Sequence, residues 1–93
     1  MLPVDYTVKD NVLIIKIDEK ASASVMFHAE GKKMYLDSTY TPHAHRGKGI
    51  GGQLMLAALD YAKKMGLMVV PVCSFSVEYF KRHSEYAGML WKE

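Results

Sequence analysis

At Pro42 the spacing of apolar residues changes from a repeat of two to a repeat of 3.6, and few folds accommodate both halves of such a chain. Before it, Tyr6 to Val8 and Val12 to Ile17 flank Asp10-Asn11, a pair suited to a hairpin turn. Ala23 to Ala29 reads as the next strand and Glu30-Gly31-Lys32 as the next turn. Met34, Leu36, Ser38 and Tyr40 then alternate with Tyr35, Asp37, Thr39 and Thr41, the pattern of an antiparallel meander with one covered face. After Pro42, Ile50 to Met65 places Leu54, Ala57, Ala58, Tyr61, Ala62 and Met65 on one helical face, with Gln53, Asp60, Lys63 and Lys64 mostly opposite. Gly66 suits a C-cap, and the two lysines complement the helix dipole. The apolar run Leu67 to Val72 predicts a strand buried on both faces. Ser74 is expected to cap a second helix to about His83, with Val77, Phe80 and the stem of Lys81 inward. A strand, a crossover helix and a strand imply one parallel pairing. The expected class is therefore α/β (α+β), with a mixed, mostly antiparallel sheet, a long helix and a short C-terminal one. A cleft should open where the Thr39 to Thr41 strand parts from Leu67 to Val72, and Pro42, lacking an amide donor, should help end that pairing.

With 93 residues, 49% hydrophobic and 24% charged, the chain is expected to form a single globular domain, residues 1–93, with one core and one site. A net charge of +2 calls for neither a nucleic-acid nor a membrane partner. One cysteine excludes an internal disulfide framework and a cysteine-based zinc site. The N-terminus lacks the pattern of a signal peptide, and no apolar run approaches a membrane span. With an unpaired thiol, these features give the cytoplasm as the expected location.

The segment carrying most chemistry is Arg46-Gly47-Lys48-Gly49-Ile50-Gly51-Gly52, between the last meander strand and the long helix. Glycines let the backbone approach a ligand, and the free amides of a helix start face an anion. Arg46 and Lys48 add charge for phosphate oxygens. A Walker loop fails, because Gly49 follows Lys48 where Ser or Thr is needed. Gly47, Gly49 and Gly52 fit a dinucleotide fingerprint, but the preceding strand belongs to a meander and Val72-Cys73 stands where an acidic residue is required. A plain tight connection is the bland alternative. His43 and His45 flank the loop as solvated or phosphate-adjacent residues; with no third ligand, no metal site is expected.

Arg46-x-x-Gly49-x-Gly51 between a strand and a helix resembles the acyl-CoA loop of the GNAT N-acetyltransferases, and the order of elements along nearly the whole chain agrees. Together with Val72-Cys73-Ser74-Phe75, the loop looks like a compact branch of that superfamily carrying a cysteine near the acetyl group. The resemblance implies a GNAT-like fold and an acetyl-CoA-dependent N-acetyltransferase acting on a primary amine. It also implies that Thr41, Arg46, Gly47, Lys48, Gly49, Ile50, Gly51, Gly52 and Ser74 hold coenzyme A, with the pantetheine arm in the cleft.

Many GNAT enzymes carry a tyrosine that protonates the departing thiolate, seven residues after an asparagine. Laid on this chain, those positions fall on Phe80 and Cys73, and Phe80 has no hydroxyl. Tyr79 is adjacent but about 100° around the helix. Cys73 stands just before a helix N-terminus, whose dipole favours a thiolate that can accept and pass on an acyl group. The compact branch is thought to work through such an acetyl-cysteine. The rival reading makes Cys73 a small buried hydrophobe. Glu30, Asp37, His43, His45 and His83 are all candidates for the base. The short chain leaves little material for an acceptor pocket, which suits a macromolecular amine or one presented by a partner. Rival functions are a non-catalytic CoA-binding module and a small anion- or RNA-binding domain using His43, His45, Arg46 and Lys48. Tyr86, Leu90 and Trp91 either pack the C-terminal segment onto the sheet or form a docking patch; the seven methionines read as core filler, and Lys81-Arg82-His83 as a solvated face.

Overall fold

The computed structural model describes residues 5–92. Four strands form an antiparallel meander: β1 (Thr7–Lys9), β2 (Val12–Lys16), β3 (Ser22–Glu30) and β4 (Lys33–Tyr40). Helix α1 (Ile50–Met65) crosses over to β5 (Met68–Pro71), which pairs in parallel with β4, and α2 (Ser74–Arg82) follows. The sheet order is β1-β2-β3-β4-β5. Asp10 and Asn11, both with positive φ, make the two-residue turn between β1 and β2. A 3₁₀ turn at His43–His45, which the sequence pattern did not signal, joins β4 to the glycine loop.

The core lies on one face of the sheet. Leu13, Ile15, Ala23, Val25, Phe27, Met34, Leu36 and Val69 point inward and meet Leu54, Met55, Ala57, Ala58, Leu59 and Ala62 of α1. The buried stripe of α1 is wider than the periodicity suggests: Met55 and Leu59 join it, while Met65, in the last turn, is exposed. Strand β5 is less buried than the apolar run predicts, with Val69 fully buried and Met68, Val70 and Pro71 half-buried. Its outer edge is partly covered by the C-terminal segment, where Leu90 bridges Val69 and the Trp91 amide donates to the Val69 carbonyl. Met68 donates to Lys32, just before β4, and Val72 to Leu36 of β4, so alternation turns the nitrogen of Pro71 to this outer edge, where no donor is needed.

In α2 the inward residues are Ser76, Tyr79 and Phe80, with Val77 half-buried. Lys81 is exposed and pairs with Glu78 at 3.7 Å, so its stem does not line the core. The N-cap of α2 is Cys73, not Ser74: Cys73 is extended, its carbonyl takes the first helical bond from Val77, and Ser74 is the exposed first helical residue.

The parting of β4 and β5 has a different origin from the one expected at Pro42. Consecutive residues Met26 and Phe27 of β3 face Ser38 and Leu36, which leaves Asp37 of β4 unopposed in a β-bulge. Pairing between β4 and β5 ends at that point, with Leu36 opposite Pro71. The amides of Val72 and Cys73 both donate to the Leu36 carbonyl before the chain turns into α2, while β4 continues beside β3 to Tyr40. The bulge splits the sheet several residues before Pro42.

Candidate active site

The split leads into a cleft of about 660 Å³, walled by Thr39, Thr41, His45, Arg46, Gly47, Gly49, Ile50, Gly51, Gly52, Ser74 and Phe75. Gly47 and Gly49 have φ of 79° and 81°, a left-handed backbone that side chains rarely adopt. Gly49 is the N-cap of α1, with no side chain capping the helix. The first bond into the helix runs from Gln53 to Gly49, so the amides of Ile50, Gly51 and Gly52 have no intrahelical partner at the wall of the cleft. Arg46 donates through Nε to the Thr41 carbonyl at 3.0 Å, which fixes the side chain and leaves its terminal nitrogens for an anion. His45 reaches Asp18 of the β2–β3 loop at 3.7 Å, bracing the 3₁₀ turn.

Phe75 closes one side. A Cβ on Gly51 would lie 2.4 Å from Cζ of Phe75, so the ring rests directly on the first turn of α1. Tyr79 lies behind it, 3.6 Å from where a Cβ on Gly52 would stand, and stacks on His83 with ring centroids 4.2 Å apart. Its ring meets that of Phe80 edge to face with centroids 5.2 Å apart and both are buried, so the two neighbours stay in contact rather than pointing apart. Burial raises the hydroxyl pKa of Tyr79, with the nearby Tyr86 and Glu85 adding to the effect.

Among the expected site residues, the fold brings Thr41, Arg46, Gly47, Gly49, Ile50, Gly51, Gly52 and Ser74 together in this cleft. Lys48 is exposed beside it and outside the wall. Cys73 is also outside the wall, next to Ser74; its Sγ accepts the Ser76 amide at 3.4 Å and lies 3.3 Å from the Ser76 hydroxyl. Thr39, expected at the cleft, and Phe75, part of the Val72-Cys73-Ser74-Phe75 run, were not counted among the site residues, yet both line the wall.

A model of the GCN5-related N-acetyl-transferase family matches residues 5–89, which spans the meander, the loop and both helices. The chain belongs to the GCN5-related N-acetyltransferase family. Its fold matches that of a GCN5-like protein from Staphylococcus aureus solved by NMR in solution, with a TM-score of 0.74 and 20% identity over 100% of this chain and 93% of the other. It also resembles crystalline glucosamine-6-phosphate N-acetyltransferase from Arabidopsis thaliana, with a TM-score of 0.56 and 28% identity over 88% of this chain. This chain spans 60% of the length of that plant enzyme. The mixed sheet and helix order expected from the resemblance are thus those of the family, and membership supports acetyl transfer from acetyl-CoA in general. The free amides, left-handed glycines and tethered Arg46 form a site suited to an anion. Among the described residues no group of three or more His, Cys, Asp or Glu side chains is placed to hold a metal ion, and no helix is long and apolar enough to cross a membrane.

Proposed function

We propose that this chain transfers the acetyl group of acetyl-CoA to a primary amine, with Cys73 as the acyl carrier. The observation that carries the reading is the cleft itself: a split sheet ending at the uncapped N-terminus of α1, with Arg46 tied to the strand that lines it. The pyrophosphate takes the amides of Ile50 to Gly52 and the guanidinium of Arg46. The pantetheine arm runs along β4 past Thr41 and Thr39, whose backbone no longer pairs with β5. The thioester then lies toward the bulge, where the Cys73 backbone is held on the Leu36 carbonyl.

As thiolate, Cys73 attacks the thioester carbonyl; the carbon–sulfur bond to CoA breaks and free CoA leaves. The amine then attacks acetyl-Cys73 and regenerates the thiol. The N-cap position supports this role, since the Ser76 amide already donates to Sγ and the Ser76 hydroxyl lies alongside. The absence of a hydroxyl at Phe80 is no obstacle on this route. The small size of the chain favours a macromolecular acceptor or one presented by a partner.

The test is incubation with acetyl-CoA alone. One equivalent of CoA should be released and one acetyl mass added to wild-type protein but not to Cys73→Ala, which should still bind CoA by calorimetry. A Cys73→Ala protein with near-normal turnover would end the covalent route and leave direct transfer. No binding of CoA at millimolar concentration would end the acyl-CoA reading altogether, and a steeply salt-dependent preference for an oligonucleotide would replace it with RNA binding.

A further inference from the structure

Serine is a poorer helix former than alanine, and a buried hydroxyl is costly unless it is bonded. Ser76 nonetheless stands in the first turn of α2 with no exposed surface, on the face that also buries Tyr79 and Phe80. Its hydroxyl donates to the Cys73 carbonyl at 2.9 Å, and the same oxygen lies 3.3 Å from Cys73 Sγ, close enough to accept the thiol hydrogen. The backbone amide of Ser76 donates to that sulfur at 3.4 Å. A hydroxyl has a single hydrogen, so it serves the carbonyl or the sulfur and not both. The carbonyl can release it, because the Val77 amide also donates there at 3.0 Å. The arrangement therefore holds in reserve a second donor for the sulfur, in use only when the sulfur has lost its own hydrogen.

We propose that the Ser76 hydroxyl is a switchable donor for the acyl carrier, turning from the Cys73 carbonyl to Sγ whenever the sulfur is a thiolate. The inference rests on the acyl-carrier reading above. In the resting thiol the hydrogen bonds run in a chain, from Sγ to the Ser76 oxygen and from the Ser76 hydroxyl to the carbonyl. When the thiol gives its proton to water, the hydroxyl rotates to Sγ, which then has two donors from one residue. The thiolate attacks the thioester carbon, the bond from that carbon to the CoA sulfur breaks, and the CoA thiolate takes a proton from water. Acetyl-Cys73 carries no charge on sulfur, so the hydroxyl returns to the carbonyl. When an amine attacks the acetyl carbon and gives a proton to water, the bond to Sγ breaks and the thiolate reappears, again met by the hydroxyl. Both half-reactions pass through the species that Ser76 stabilises.

The exchange is favourable because a hydrogen bond to a charged acceptor is stronger than one to a neutral carbonyl. A stabilised thiolate is a weaker nucleophile, but its larger population at neutral pH outweighs that loss, since nucleophilicity follows thiol acidity with a slope below one. Ser76 is outside the wall of the cleft, so its loss should leave coenzyme A binding unchanged.

The experiment compares wild type with Ser76→Ala and Ser76→Thr in two readings. One is alkylation of Cys73 by iodoacetamide at neutral pH without CoA; the other is the rate at which acetyl-CoA alone acetylates the protein, followed by mass. Ser76→Ala should be slowed roughly fivefold or more in both, with its CoA affinity unchanged in calorimetry. Ser76→Thr, whose hydroxyl can make the same bond back to the preceding turn, should recover most of both rates. A serine that only supports the helix start would leave the alkylation rate where it was. Ser76→Ala with wild-type alkylation overturns the inference and leaves Cys73 as acyl carrier, and so does a folded Ser76→Thr as slow as Ser76→Ala. If Ser76→Ala does not fold, wild type decides: Cys73 should alkylate faster in the native chain than in guanidinium, and a slower native rate overturns the inference. Wild-type protein that takes up no acetyl group overturns the acyl-carrier reading and the inference with it.

Discussion

Cys73 holds two positions at once, the N-cap of α2 and the nucleophile proposed above, and substitution separates them. Serine is among the best N-caps, whereas alanine in place of a capping side chain costs about 1 kcal/mol. Cys73→Ser should therefore unfold in urea close to the wild-type midpoint and Cys73→Ala below it, while both lose acetyl-enzyme formation. Equal activity losses with unequal stabilities would show that chemistry, not the helix start, accounts for the lost turnover. The glycines of the loop divide in a similar way. Gly49 has a left-handed backbone, so Gly49→Ala should cost roughly 1–2 kcal/mol of stability and weaken CoA binding by distorting the amides. Gly51 has no such backbone, and its constraint is the Phe75 ring 2.4 Å from a would-be Cβ. Gly51→Ala should be destabilising alone and largely rescued by Phe75→Leu, a non-additivity that urea melts of the double mutant would reveal.

The segment before β1 is tied to α1 by one buried-edge contact: the Tyr6 hydroxyl donates to Oδ2 of Asp60 at 2.6 Å, and Lys64 reaches the same oxygen at 3.0 Å. The Asp60 pKa lies below the usual carboxylate range, first through Tyr6 and then Lys64, while burial and Asp60 push the Tyr6 hydroxyl far above its own. A carboxylate with a depressed pKa adds stability above its ordinary range and loses it as pH falls through the depressed value. Tyr6→Phe should thus be less stable than wild type near neutral pH, with the gap narrowing as pH falls below the ordinary carboxylate range, as urea melts across that range would report. This tie spans 54 residues and no local pattern announces it. What the sequence does announce is periodic or conformational: the α1 boundaries, the Asp10-Asn11 turn and the left-handed loop glycines Gly47 and Gly49 were all legible because short-range sterics decide them. The bulge at Asp37 was not, since it depends on how β3 and β4 register, and without it neither the true origin of the cleft nor the His28–Asp37 contact can be read. The wider buried stripe on α1 escaped for the same reason, because it reflects what packs on the helix rather than its own repeat.

The cleft is walled by the end of β4, the glycine loop, the first turn of α1 and the start of α2. A ligand bridging them binds the folded state and has little to hold in the unfolded chain, so its binding energy appears as global stability. At a concentration one hundred times its Kd, CoA should add about 2.7 kcal/mol. For a domain of this length each kcal/mol moves Tm by roughly 4–8 °C, so a rise of about 10–20 °C is expected in a thermal melt. Much of the attraction is electrostatic, from free amides and the tethered Arg46, so the rise should shrink as salt increases. Arg46→Ala should lose about tenfold in affinity, equivalent to about 1.4 kcal/mol, and with it roughly half the thermal shift at the same CoA concentration. Cys73→Ala should retain the shift in full after its lower starting Tm is allowed for, because the proposed pyrophosphate and pantetheine contacts lie on other residues. A Tm unmoved by millimolar CoA would overturn the placement of the ligand in this cleft.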